Sequence, residues 1–181
     1  MTRAMLIPVA AGLLFAVPML NAQDSAPLPE HKILALEEGV WDAEISMTIP
    51  GQEATKSKGT ETNRLLGGKW LISDFKGEFF GSSFEGHGVN GYDAKKGKYV
   101  GTWVDSMSQH IDLMEGTYDE KTKTLTLNAD SVNPASGKPM KMRLETQFKD
   151  VDTRTFSEYV QMDGEKEFTK FMEVKYTKRK K

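Results

Sequence analysis

The chain has 181 residues, 38% of them hydrophobic and 28% charged, with a formal net charge of −2. That balance suits one globular domain with a substantial core and gives no basic surface for nucleic acid. The absence of cysteine excludes disulfides, thiolate metal sites and thiol nucleophiles together.

The N-terminus carries one positive charge, Arg3, then an almost wholly apolar run from Ala4 to Leu20, and Asn21-Ala22 supplies a small residue for cleavage. These are the three parts of a secretory signal, so Met1 to Ala22 is expected to be removed. A retained membrane helix is the rival reading, but Pro8 and Pro18 interrupt a run already at the short limit for a span. The mature chain is therefore expected to be exported, periplasmic or secreted, with no stable membrane insertion after cleavage. Gln23 to Glu30, polar and broken by Pro27 and Pro29, reads as a flexible tether. A single domain is expected over 31–177, followed by a basic tail at 178–181.

His31 to Glu38 is the one convincing helical segment. Ile33, Leu34 and Leu36 form its apolar side, and Gly39 is placed to end it. From Trp41 onward the period changes to two. Trp41, Ala43, Ile45, Met47 and Ile49 share one face of the first strand. Met140, Met142, Leu144 and Phe148 share a face of a later one, with Lys141, Arg143, Glu145 and Gln147 turned outward. Such alternation marks strands with one buried and one wet face. Similar segments cover roughly 55–66, 69–80, 83–92, 98–106, 110–118, 123–131, 154–162 and 166–177. Turn chemistry separates them at Pro50-Gly51, Gly67-Gly68, Gly81-Ser82, Lys96-Gly97, Asn133-Pro134 with Gly137, and Asp163-Gly164.

Ten strands with no connection long enough for a parallel crossover predict an all-β, antiparallel up-and-down meander. Closing it into a barrel buries the apolar face and removes both edges; a two-sheet sandwich is the alternative. Gly91-Tyr92-Asp93-Ala94-Lys95 is echoed by Thr117-Tyr118-Asp119-Glu120-Lys121, two turns that fall at the same end of a meander. Trp41 and the helix belong to that end, which is expected to be closed. The open mouth is then framed by Ser82, Ser83, the 105–110 loop and the 133–137 loop.

A short helix followed by Gly39-Val40-Trp41 at the start of the first strand resembles the lipocalin and fatty-acid-binding (calycin) superfamily. There the tryptophan plugs the closed end of a small barrel. The stretch EGHGVNGYDAKKGKYVGTWVDSMSQHIDLMEGTYDE from Glu85, with Trp41-Asp42 and Asn133-Pro134, resembles a bacterial family of exported proteins. It is known as domain of unknown function fifteen seventy-nine. The resemblance implies that family and its fold, and carries no activity with it.

Asp105, Ser106, Ser108 and His110 invite a hydrolase or isomerase reading, a serine, a histidine and a carboxylate in one loop. No Gly-x-Ser-x-Gly elbow accompanies them, and polar residues commonly populate hairpin loops. The three histidines, His31, His87 and His110, form no ligand pair, so neither a metal nor a cofactor is expected. An odd-length loop at Asp163-Gly164 would place Phe168, Met172 and Val174 on the face of Phe156 and Val160. It would also turn Arg154, Glu158 and Lys170 inward. Charges inside a barrel are costly unless paired or wet, and small barrels use them to orient the polar head of an apolar ligand; near an end they equally reach solvent by snorkelling. Met47, Met140, Met142, Met162 and Met172 on inward faces suit either an adaptable cavity or an ordinary core.

The leading expectation is a binding protein for an apolar or amphipathic small molecule. Its cavity would be lined by Trp41, Trp103, Asp105, His110, Met142, Arg154, Glu158 and Lys170. A hydrolase or isomerase with a polar site at the mouth, or an interaction module without ligand, are the alternatives.

Overall fold

A computed structural model describes residues 26–49, 51–133 and 136–180. The expected signal segment, the first three tether residues, Pro50, Pro134, Ala135 and Lys181 lie outside the described residues. One short helix, α1 (His31–Ala35), precedes ten strands. These are β1 (Gly39–Met47), β2 (Thr55–Leu66), β3 (Trp70–Phe79), β4 (Ser82–Asp93) and β5 (Lys98–Asp105). They continue with β6 (Asp112–Asp119), β7 (Thr124–Val132), β8 (Pro139–Phe148), β9 (Thr153–Met162) and β10 (Thr169–Lys178). Each strand pairs antiparallel with the next, and β10 returns to β1, with Trp41 opposite Lys178 and Met47 opposite Met172. The sheet is therefore a closed barrel and not a sandwich. Closure leaves no free edge and puts every inward apolar face against the others.

The alternation read from the sequence is the alternation of burial. Trp41, Ala43, Ile45 and Met47 are each no more than 2% exposed, while Asp42 and Glu44 face water. The echoed turns are the same device twice. Asp93 Oδ1 accepts the backbone N–H of Lys95 and Lys96, and Asp119 Oδ1 accepts those of Lys121 and Thr122. Such side-chain bonds fix a tight turn, and at Asp93 they add to backbone bonds from Lys96 and Gly97 to the Asp93 carbonyl. Between β3 and β4, Phe80 and Gly81 both take positive φ, as a two-residue hairpin connection requires.

Helix α1 is too short to stand alone and has no side-chain cap, so packing holds it. Leu34 is fully buried in a cluster with Leu71, Tyr99, Met114 and Leu125. Tyr99 Oη donates to the Glu30 carbonyl (2.9 Å), and the Leu28 N–H donates to His31 Nδ1 (2.7 Å). Leu28 to Glu30, expected as tether, are thus docked across one end of the barrel. The basic tail needs a similar correction. Lys178 ends β10, and Arg179 donates its own N–H to Val40 and two side-chain hydrogen bonds to Asp42.

One register differs from the sequence reading. β10 carries a bulge between Lys170 and Met172: Met172 lies opposite Glu158, but Lys170 lies opposite Tyr159, an outward residue. The extra residue reverses which way the strand start faces. Phe168 and Lys170 consequently sit outside, Phe168 against the Arg143 guanidinium (4.8 Å) and Lys170 on Glu173 (2.9 Å).

Candidate functional site

The barrel interior has two polar centres, one at each end. At the closed end, β9 delivers Arg154 under the rings of Trp41 (4.8 Å) and Tyr176 (3.9 Å). Its guanidinium bridges Glu37 (3.1 Å), from the turn after α1, and Glu61 of β2. Asn63 Nδ2 and Trp41 Nε1 both donate to the Glu37 carbonyl, at 3.0 and 2.8 Å. Burial alone would discharge Arg154, but Glu61 and Glu37 outweigh it and hold its pKa up. Glu37 is pushed up to about 7, first by burial and further by Glu61, with Arg154 pulling the other way. Two carboxylates thus share one cation in a water-poor plug. Trp41 and Arg154, both expected in a cavity lining, are each at most 3% exposed; the Arg154 terminal nitrogens hold Glu37 and Glu61, while its buried Nε has no hydrogen-bond partner among the described residues.

At the mouth end, Trp103 on β5 lies flat across two glycines of β4. A Cβ on Gly86 would fall 2.2 Å from its ring and one on Gly88 3.0 Å away, so only glycines admit the indole there. Its Nε1 donates to Asp105 Oδ2 (3.2 Å), while Asp105 Oδ1 accepts the N–H groups of Met107 and Ser108, both at 2.8 Å. Asp105 is therefore saturated by three donors. His110 follows in the loop before β6. Its Nδ1 lies 3.0 Å from Ser108 Oγ, and its Nε2 lies 3.1 Å from Ser131 Oγ and 3.5 Å from Asp112 Oδ1. Ser131 gives its only proton to Asp112 (2.6 Å), so His110 Nε2 is the donor to Ser131. In the neutral ring Nδ1 then accepts the Ser108 hydroxyl.

Glu158 faces the same half of the lumen. Among the described residues its carboxyl has no hydrogen-bond partner. Burial, with Asp112 and Asp105 adding repulsion, raises its pKa to about 7. Met142 reaches inward two residues from Leu144, which lies opposite Glu158, and is half-buried. Phe79, Phe84, Phe156, Met140, Met162 and Met172 are likewise inward yet only half-buried, as are Leu65, Tyr92 and Tyr118 toward the closed end, while Met47 opposite Met172 is buried. Of two clefts of about 330 and 200 Å³, the larger is lined by Asp74, Lys76, His87 and Val104 together with the inward residues Phe75 and Asp105, and the smaller by outward side chains including Tyr159 and Lys170.

The structure thus gathers Trp103, Asp105, His110, Met142 and Glu158 in one half of the lumen and sends Arg154 and Trp41 to the other. Lys170 leaves the interior because of the bulge. Ser106 does not join His110. It pairs with Glu85 on the outer wall, its Oγ accepting the Glu85 N–H at 3.1 Å. Sequence reasoning missed Asp112, Ser131, Glu61 and Asn63. Each carried a usable signal, because Asp112 alternates with Met114, Ser131 with Ala129, and Glu61 and Asn63 with Leu65, all inward. Among the described residues, no group of three or more His, Asp or Glu side chains is placed to hold a metal ion.

A helix-lidded, ten-stranded, closed up-and-down barrel with a tryptophan–arginine plug has a calycin-like fold. The chain belongs to the family described as Protein of unknown function (DUF1579), whose model matches residues 26–178. Its fold is similar to that of Rv2717c from M. tuberculosis, with a TM-score of 0.62 and 11% identity over 85% of this chain and 99% of that one. It is also similar to the S-type phycobiliprotein lyase CPES from Guillardia theta, with a TM-score of 0.58 and 11% identity over 85% and 94%. At that identity the likeness carries the fold alone. A comparison with curated proteins found no match.

Proposed function

We propose that this protein is an exported binding protein that holds an apolar or amphipathic small molecule in the mouth half of its barrel. The observation that carries the proposal is the make-up of the mouth half of the lumen, where Trp103, Met140, Met142, Phe156, Glu158 and Met172 point inward and are only partly buried. A wall of aromatic rings and unbranched thioethers with a few convergent polar groups is the usual make-up of a small-molecule site. The likeness to a phycobiliprotein lyase supports a small-molecule role for a barrel of this shape. Export rests on the basic, apolar and small-residue order of Met1 to Ala22.

Titration with a neutral, environment-sensitive naphthyl dye tests the site. Saturable one-to-one binding, with energy transfer from tryptophan, is the expected result, and Met142→Arg should abolish it while leaving the fold intact by circular dichroism. Unsaturable fluorescence, or binding untouched by Met142→Arg, would contradict it.

A second reading, ester hydrolysis, has one observation in its favour: Ser108, His110 and Asp112 lie in hydrogen-bonding sequence. The same Ser108 hydroxyl also bonds the backbone of His110, which supports a positioning role for it. Turnover of a p-nitrophenyl ester that disappears in Ser108→Ala would establish the hydrolase; equal background rates in both proteins would remove it.

A further inference from the structure

The outer wall of β8, β9 and β10 carries a polar array that faces away from the lumen. The strand register sets it out in rows. Arg143, Tyr159 and Lys170 form one row, Glu145, Ser157 and Glu173 the next, and Gln147, Thr155 and Lys175 the third. The smaller cleft, of about 200 Å³, opens on the middle row. Ser157 lines it, yet is only 7% exposed, and among the described residues its hydroxyl makes no hydrogen bond. A serine on a wetted outer face is ordinarily exposed. Ser157 is instead withdrawn between Glu145 and Glu173, whose own side chains are 30% and 33% exposed. A polar group that folding takes from water is normally given a partner. Here that partner is missing, and the hydroxyl opens on the cleft.

We propose that this cleft is a second binding site, on the outer wall, for a neutral polyhydroxylated ligand: one pyranose ring, of a free sugar or of a glycan. The charges around Ser157 are already matched. Arg143 Nε lies 3.1 Å from Glu145 Oε1, and Lys170 Nζ donates to Glu173 Oε2 at 2.9 Å. A free anion would meet both carboxylates, and a free cation would meet Arg143, Lys170 and Lys175, so a charged ligand gains from one row what it loses to another. Hydroxyl groups face no such conflict, because each can donate and accept. Glu145 Oε2 and Glu173 Oε1 accept nothing from the described residues, and a carboxylate has room for several donors. The Ser157 and Thr155 hydroxyls between them can take either role. The Tyr159 ring, with the Arg143 guanidinium 4.7 Å and the Lys170 ammonium 5.4 Å from its centroid, gives the polar wall one fixed aromatic edge. The C–H groups of a sugar ring can lie against that edge.

Backbone amide shifts in a proton–nitrogen correlation spectrum read this site directly. Methyl glucoside, methyl galactoside and N-acetylglucosamine serve as single-ring probes, cellotetraose and chitotetraose as chain probes, and glycine and inorganic phosphate as charged controls. At least one sugar should give saturable shifts confined to β8, β9 and β10, with a Kd on the order of 1–10 mM. A chain probe at least about tenfold tighter than its single ring assigns the site to a glycan, and equal affinities assign it to a free sugar. Ser157→Leu, which fills the floor of the cleft, should weaken the responding sugar at least about tenfold. The double change Glu145→Gln with Glu173→Gln should do the same and leaves the floor untouched. Dye binding in the lumen should be unchanged in both proteins, so failure of this site and failure of the lumen site are told apart. Absence of saturable shifts from every sugar at about 50 mM overturns the proposal. Sugar shifts that survive both variants, or a tighter response of the same face to glycine or phosphate, overturn it as well.

Discussion

Removing the Arg154 guanidinium would leave Glu37 and Glu61 facing each other in a closed space, with Trp41 and Tyr176 stacked over a void. Breaking a buried ion pair from one side costs about 3–5 kcal/mol, because the abandoned charges are worth more than the lost contact. Arg154→Ala is therefore expected to lose about that much in urea unfolding, and Arg154→Lys most of it, since an ammonium cannot bridge both carboxylates in one plane. The acid groups make a separate prediction. Glu37 and Glu158 both have folded pKa values raised to about 7, against 4.5 for the free side chain. Between those values the folded protein keeps protons that the unfolded chain has lost, so stability falls as pH rises through about 5 to 7. The carboxylates with lowered values, Asp42, Glu115, Asp150 and Glu173, titrate below that window and leave it undisturbed. Unfolding at pH 5 and pH 8 should show the drop, and Glu158→Gln should remove the Glu158 share of it while leaving that of Glu37, gaining on the order of 1–3 kcal/mol at pH 8. Arg154 and Glu158 could both be placed inside from their parity on one strand. That Arg154 is a plug and Glu158 a free acid was not legible, because their partners come from α1, β2 and β6, far away in sequence.

At the scale of elements, alternation carried the reading well. Ten segments with one apolar face and short turns between them allowed few topologies, and the structure adopts the closed one. The bulge near Phe171 was invisible for a physical reason. Phe168, Met172 and Val174 satisfy the apolar pattern in a regular strand, and nothing local marks the residue that breaks it. The cost of the misreading was Lys170, which a regular register would bury and the bulge returns to water beside Glu173. Helix α1 illustrates the opposite limit, an element too short for its own propensity and held by packing, with Leu34 as its one fully buried side chain. Leu34→Ala is expected to destabilise the whole barrel by about 2–5 kcal/mol, because Leu34 is fully buried against Leu71 and Tyr99. Chemical denaturation followed by tryptophan fluorescence would show it. A change under 0.5 kcal/mol would mean the helix is not part of the cooperative unit.

For the molecule as a whole, the docked segment at Leu28 to Glu30 and the clamp of Arg179 on Asp42 tie both ends of the described chain to the barrel. A protein starting at Gln23 is therefore expected to unfold at the same temperature as the full chain, and intact-mass analysis of the exported form should find Gln23 as its first residue. A large drop in thermal stability on that truncation would contradict the assignment of Met1 to Ala22 as a signal. The barrel gives this domain an arginine plug at the α1 end, and the central claim is that the opposite half of the lumen holds a small molecule. Native mass spectrometry of the protein purified from the exported fraction tests that claim most directly. The account predicts a discrete mass above that of the polypeptide, lost on denaturation and absent in Met142→Arg. A spectrum showing the bare polypeptide mass, even after incubation with the naphthyl dye, would contradict it.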